Sequence, residues 1–377
     1  MELDLDITLE RRKEGFFFGY RLRAGKFRRT FESSIFQEEP SESRNRLTSI
    51  VEDFNRGLGP GRDLVRRKRV RRRLYALGQE LYHDLLPAAL RSTFWDLRGD
   101  LSALQVCSEE PWVPWEMLCP FEHATSRCED YLAATYVLTR RLPIQPPPPR
   151  RLKQKRILFI DLSASRSGAV LTEAARERAS LRKLAMRLGV EMKVLEHPTA
   201  EEFEAAVLEG DLGIIHASAH GAFEAISPDE SALIVAGSRS LRPSDLYGDL
   251  RVVLRRERPL VFFNACRLGA QGWSLTRLGG WTNRLFECYC SAYVAPEWTV
   301  KDSSAAHFAA AFYESLGDGE TLGAAALAAR RKTRDKDPDG SAWLAYRVYG
   351  HPDASLRPVA DEPRRFHLKL GSKGAPG

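Results

Sequence analysis

A thiol and an imidazole stand out by where the sequence places them. Val261-Phe262-Phe263 runs on into Asn264-Ala265-Cys266-Arg267-Leu268-Gly269, an apolar stretch that stops at a cysteine among small and polar residues. Upstream, Leu212-Gly213-Ile214-Ile215 leads in the same way into His216-Ala217-Ser218-Ala219-His220-Gly221. Each run reads as a buried parallel strand that delivers its polar residue to the carboxyl edge of a sheet, where open α/β folds place their chemistry. A cysteine attacks a carbonyl as thiolate, so it needs a base close by, and a departing amine then needs an acid. Imidazole does both near neutral pH. The oxyanion formed on the way needs donors, and backbone N–H groups in a tight glycine-containing turn supply them. Cys266 as nucleophile and His220 as base and acid meet these needs if their strands are neighbours. The competing reading, an inert core cysteine and a buried histidine, would win for either residue taken singly. Both residues standing at strand ends weigh against it.

A metal site is a weaker reading of the same residues. His216 and His220 are spaced i, i+4, but no glutamate stands where a metalloprotease helix requires it, and the run before them is a strand. Cys288 and Cys290, separated by Tyr289, are too sparse for zinc. No metal or organic cofactor is expected, and His216 is expected to be structural, packed under the sheet end.

The elements that must position this pair follow from the rest of the chain. At 377 residues it can hold one large domain with an appendage, or two ordinary ones. Apolar residues at 43% and charged residues at 28% describe a soluble globular protein. The start has no basic region ahead of an apolar core, and no window approaches the roughly 20 apolar residues of a membrane span. Six cysteines without a regular framework suit a reducing cytoplasm, which is the expected location. Net charge is +7 and concentrated in Arg66, Arg67, Lys68, Arg69, Arg71, Arg72 and Arg73. That run sits on an expected helix from about Asp63, with Val65, Val70, Leu74, Leu77, Leu81 and Leu85 inward. A nucleic-acid or acidic-partner surface is one reading, and a solvated helix face the plainer one.

Residues 2–36 alternate apolar and polar positions between glycines and predict two to four short strands. Residues 37–62 are rich in turn formers and read as a linker. Strands are expected at Leu101–Val106, Ile157–Leu162, Val190–Leu195, Leu212–Ile215, Leu260–Asn264 and Ser291–Ala295, with a final short element at Trp343–Val348. Helices are expected at 173–188, 200–208, 245–255, 303–316 and 321–331. Such alternation predicts a mostly parallel sheet sandwiched by helices. The expected division is an N-terminal β-rich module with linker at 1–62, a main domain at 63–360 (front half 63–150, catalytic half 151–360) and a tail at 361–377.

His220 lies 46 positions before Cys266 (266 − 220), close to the ≈ 50 that separates histidine from cysteine in caspases. With His-Ala-Ser-Ala-His-Gly at 216–221, Asn-Ala-Cys at 264–266, Gly279-Gly280, Trp298-Thr299-Val300-Lys301-Asp302, Phe312-Tyr313 and Tyr349-Gly350-His351-Pro352, the chain resembles the CHAT-domain branch of caspase-like, separase-related cysteine peptidases. Pro114-Trp115-Glu116 resembles an element in the front half of such domains, and coverage is about residues 74–357. The resemblance implies a caspase-like α/β fold and a Cys266–His220 dyad, with backbone N–H groups of Gly221 and Cys266 as oxyanion hole. It also implies Asp302 as a reader of a basic P1 side chain, for which helix capping is the rival role. Trp281-Thr282-Asn283-Arg284 and Pro296-Glu297 depart from the usual pattern beside the expected substrate groove. The implied activity is cysteine endopeptidase action on a protein substrate, held back until a regulatory protein partner or signal arrives, in a prokaryotic, defence-associated setting. A catalytically silent scaffold binding protein or nucleic acid is the alternative.

Overall fold

Runs such as Ile157-Leu158-Phe159-Ile160 and Val261-Phe262-Phe263 have no polar side, which suits strands covered by helices on both faces. The computed structural model describes residues 1–36, 50, 64–108, 110, 113–122, 125, 127–143, 147–163, 173–219, 221–222, 228–237, 239–265, 272–274 and 277–356. Its main sheet has eleven strands: β1 (Glu2–Arg12), β2 (Gly15–Ala24), β3 (Phe27–Glu32), β4 (Ala103–Ser108), β5 (Val137–Arg141), β6 (Arg156–Asp161), β7 (Met192–Glu196), β8 (Leu212–Ser218), β9 (Leu260–Asn264), β10 (Ala292–Pro296) and β11 (Tyr346–Gly350). In space their order is β3-β2-β1-β4-β5-β11-β10-β9-β8-β6-β7. The block from β10 to β7 is parallel throughout. Strand β11 runs antiparallel to β10 and parallel to β5, so it joins that block to the front half. β1 pairs in parallel with β4, and the hairpin partners β2 and β3 carry the sheet outward.

The helices that cover the sheet are α1 (Leu64–Leu85), α2 (Ala88–Leu97), α3 (Ala174–Leu188), α4 (Ala200–Leu208), α5 (Gly248–Glu257), α6 (Trp281–Glu287), α7 (Asp302–Gly317) and α8 (Leu322–Lys336). Successive strand residues point to opposite faces. Hence Phe159, Ile214, Leu260, Phe262 and Val294 meet α3, α7 and α8. Their neighbours Leu158, Ile215, Val261, Phe263 and Tyr293 meet α4, α5 and α6. A third core puts Leu3, Ile7, Tyr20 and Leu104 against Tyr82 of α1, Leu86 just after it and Phe94 of α2. Thr199 and Glu202 close a reciprocal capping box at the start of α4. Gly189 ends α3 at φ 65°, its N–H reaching the carbonyls of Ala185 and Met186.

The front half is tied to the rest by buried charge. Pro114-Trp115-Glu116 enters a single 3₁₀ turn (Trp115–Met117), and Glu116 is 2% exposed. Arg140 of β5 donates from Nε to Glu116 Oε1 at 2.8 Å and from Nη2 to Oε2, and Nη2 also reaches the Val113 carbonyl at 2.9 Å. Behind it the buried Arg330 of α8 donates to the Leu138 and Tyr346 carbonyls, both at 3.1 Å, and so spans β5 and β11. On α1, Lys68, Arg69, Arg71, Arg72 and Arg73 are exposed, and Arg71 pairs with Asp339 at 2.6 Å. The side chains of Arg66 and Arg67 lie outside the description.

Burial pushes the Glu116 carboxyl up, but the charge and hydrogen bonds of Arg140 override it and leave the group below its ordinary value. A carboxyl lowered on folding stabilises the fold above its unfolded-state value and loses that contribution as pH falls through the folded value. Glu116→Gln strands the Arg140 charge in the core, an expected cost of about 3–5 kcal/mol in urea unfolding at pH 7. The difference from wild type should shrink as both proteins are taken into acid, and a parallel pH dependence would contradict the assignment.

Candidate active site

Strands β8 and β9 are hydrogen-bonded neighbours in parallel, with Ala217 opposite Phe263 and Ser218 opposite Asn264. The ladder continues past both strands: the Ala219 N–H donates to the Asn264 carbonyl at 3.2 Å. Ala219 and Ala265 are buried, 3% and 2% exposed. The next residues in sequence, His220 and Cys266, lie outside the described residues. The two strands that lead to them thus finish side by side, at the same level, on the carboxyl edge of the sheet. Gly221 opens a two-residue strand (Gly221–Ala222) antiparallel to Ala232–Leu233. Downstream of Cys266, a hairpin of Gly272–Ser274 and Arg277–Gly279 returns the chain to Gly280. That glycine has φ 99° and donates its N–H to Asp229 Oδ1 at 2.9 Å as α6 begins.

Beneath the strand ends lies a polar knot. His216 is fully buried, its ring stacked on Phe159 (centroids 5.4 Å, 7° between planes) and tilted against Phe262. Its Nε2 is 2.7 Å from Glu177 Oε2 and its Nδ1 2.9 Å from the Tyr313 hydroxyl. Glu177 Oε1 accepts from Asn264 Nδ2 at 2.6 Å, and Asn264 Oδ1 accepts from the Tyr346 hydroxyl at 2.6 Å. Burial pushes the Glu177 carboxyl up, the hydrogen bond and charge of His216 hold it back, and the nearby Asp302 adds a smaller upward push. His216 is structural, as the sequence implied, and both its ring nitrogens are engaged. Glu177 was not singled out. The signal was present: with Ala174, Leu181, Leu184, Ala185 and Leu188 it lies on the inward stripe of α3, a carboxylate where periodicity calls for an apolar residue.

Asp302 is the first residue of α7; the cap position before it is Lys301, whose side chain makes no capping bond. Its Oδ2 accepts the Glu173 N–H at 3.1 Å, tying the start of α3 to the start of α7. Of the residues that depart from the usual pattern, Trp281 is buried and Glu297 half-buried. Trp281 is 1% exposed and sits edge-on to Phe263 (5.0 Å, 85°), and Glu297 pairs with Arg347 Nε at 2.9 Å. The buried thiols of Cys119, Cys288 and Cys290 are all pushed up by desolvation, Cys288 to about 11. Among the described residues no group of three or more His, Cys, Asp and Glu side chains is arranged to hold a metal ion. No helix among them is long and apolar enough to cross a membrane.

A mostly parallel sheet, covered on both faces and presenting two adjacent strand ends on its carboxyl edge, defines a caspase-like α/β fold. The chain belongs to the CHAT-domain family, whose model matches residues 76–356. In space it is similar to Saccharomyces cerevisiae separase, solved in complex with securin, at 10% identity and TM-score 0.52. That match covers 92% of this chain and 30% of the separase chain, so the chain spans under a third of the separase's length. Caspase-1 from Spodoptera frugiperda matches at 15% identity and TM-score 0.37, over 55% of this chain and 90% of that one. At such identities the separase likeness speaks to fold. No curated protein matches the chain in a sequence search.

A thiol raised to about 11 is roughly one part in a thousand ionised at pH 8. Iodoacetamide at that pH should label exposed Cys128 while leaving Cys119, Cys288 and Cys290 unmodified until denaturant is added, read peptide by peptide in a mass spectrometer. Labelling of Cys290 in the native protein would contradict the packing of α6 on β10.

Proposed function

We propose that the chain is a cysteine endopeptidase working through Cys266 and His220. The observation that carries this is the shared level of β8 and β9, whose ladder runs to Ala219 and Asn264, one and two residues short of the pair. His220 takes the proton of the Cys266 thiol, and the thiolate attacks a peptide carbonyl to form a tetrahedral oxyanion. Backbone N–H groups of Gly221 and Cys266 receive the oxyanion. As the C–N bond breaks, the imidazolium gives its proton to the departing amine, leaving a thioester. Water, deprotonated by His220, then attacks the thioester, releases the carboxylic acid and restores the thiol. Asp302, on the edge where α3 and α7 begin, is the proposed contact for a basic P1 side chain. The separase to which the fold is similar was solved with a protein bound to it, and a regulatory protein partner is part of this proposal. The basic face of α1 is a candidate to receive one, or a nucleic acid.

New N-termini generated in a lysate by wild type and absent with Cys266→Ala are the expected outcome of terminal-peptide mass spectrometry. Identical sets from the two proteins would reject the peptidase and leave the silent scaffold standing. Within the cleaved set, Asp302→Ala should lower cleavage after Lys and Arg by tenfold or more and spare other positions. An unchanged preference would return Asp302 to a purely structural role.

A further inference from the structure

We propose that Glu177 is the positioning residue of this site: by gripping His216 of β8 and Asn264 of β9 at once, it fixes the level of one strand end against the other and hence the approach of His220 to Cys266. The proposal rests on the dyad reading above and deepens it.

Three observations lead here. The first is reach. Glu177 comes from α3, outside the sheet, yet its two oxygens go to different strands, Oε2 to His216 at 2.7 Å and Oε1 to Asn264 at 2.6 Å. The second is place. His216 precedes His220 by four residues and Asn264 precedes Cys266 by two, so each held side chain belongs to the strand that leads in sequence to a proposed catalytic residue. The third is completeness. With the proton on Nε2, His216 donates to Glu177 and accepts from Tyr313, while Asn264 donates to Glu177 and accepts from Tyr346. Every polar atom of the knot is then answered, and α3, α7, β8, β9 and β11 meet in it.

An apolar core would pack these strands as well, and buried charge seldom adds stability over well-fitted hydrophobes. What the knot adds is register. Two parallel strands with uniformly apolar faces can slip by two residues and keep the same face inward. A carboxylate that must meet an imidazole on one strand and an amide on the other admits one alignment. Asn264, part of the Asn-Ala-Cys motif, thereby acts through its grip on Glu177 and Tyr346. The helix bearing Glu177 is itself anchored at the same edge by the Asp302–Glu173 contact. The titratable groups facing Glu177 are His216, Tyr313 and Asp302.

The test needs no substrate. In the full chain, the rate of Cys266 alkylation by iodoacetamide is followed from pH 5 to 9 by peptide mass spectrometry, with exposed Cys128 as internal reference. Wild type should reach half its plateau well below the ~8.5 of an ordinary thiol, and His220→Ala should return it there. In Glu177→Gln, and separately in Tyr346→Phe, which removes a hydroxyl and no volume, the half-plateau pH should rise by about one unit or the plateau rate fall at least tenfold. The Cys128 rate should not change. If Glu177→Gln melts early, Tyr346→Phe decides alone. A depressed, His220-dependent wild-type profile that both variants overlay would overturn the positioning role and leave the dyad intact. A wild-type Cys266 whose half-plateau pH lies near the ~8.5 of an ordinary thiol, indifferent to His220→Ala, would overturn both.

Discussion

The parallel ladder between 212–218 and 260–264 is the constraint on which the rest turns. Every residue of both strands is buried, so no water can answer an N–H or C=O that its neighbour leaves open. The strands must therefore stay in step to their last residues, and that requirement places their ends together. It also accounts for Gly213. A side chain there would come within 2.6 Å of the Lys153 carbonyl and 2.8 Å of the Lys155 backbone, where the pairing of β8 with β6 shifts register. Glycine lets the two backbones approach.

Two of the buried charge clusters among the described residues have different consequences. Glu116 and Arg140 neutralise each other where β5 enters the sheet, and Arg330 bridges the carbonyls of β5 and β11 beside them. A guanidinium in that setting gives up part of its basicity; burial lowers Arg330 to about 10. These groups join the turn at Trp115–Met117 and β5 to α8 and β11. The Glu177 cluster instead holds β8 and β9 within the parallel block. Both rely on a carboxylate whose partners come from several elements, so neither forms until the tertiary fold does.

Much of the architecture was legible in the sequence because periodicity is a local property. β9 and α4 fall at their expected residues, and α3, α7, α8 and β10 within a few. β8 proved longer than its apolar run, since His216, Ala217 and Ser218 continue the strand. One of the longer helices was missed. Ala88–Leu97 follows α1 so closely, with only Leu86 and Pro87 between them, that no separate helix was expected there. Trp343–Val348 resolved into a helical turn and a strand. Of the candidate site, the strands and their order of approach were readable, as was the structural character of His216. Its partners were not. Glu177 is 87 residues from Asn264 and Tyr346 is 82, separations over which spacing carries no information and packing decides.

The place of β11 bears on how the molecule is made. Until Tyr346–Gly350 has left the ribosome, β5 and β10 each face outward with unanswered backbone groups, and the growing protein is two half-sheets with raw margins. Tyr346, whose hydroxyl reaches Asn264 two residues from Cys266, arrives with that same strand. The step that seals the two halves therefore also supplies the last member of the Glu177 cluster, and no earlier nascent chain can hold it complete.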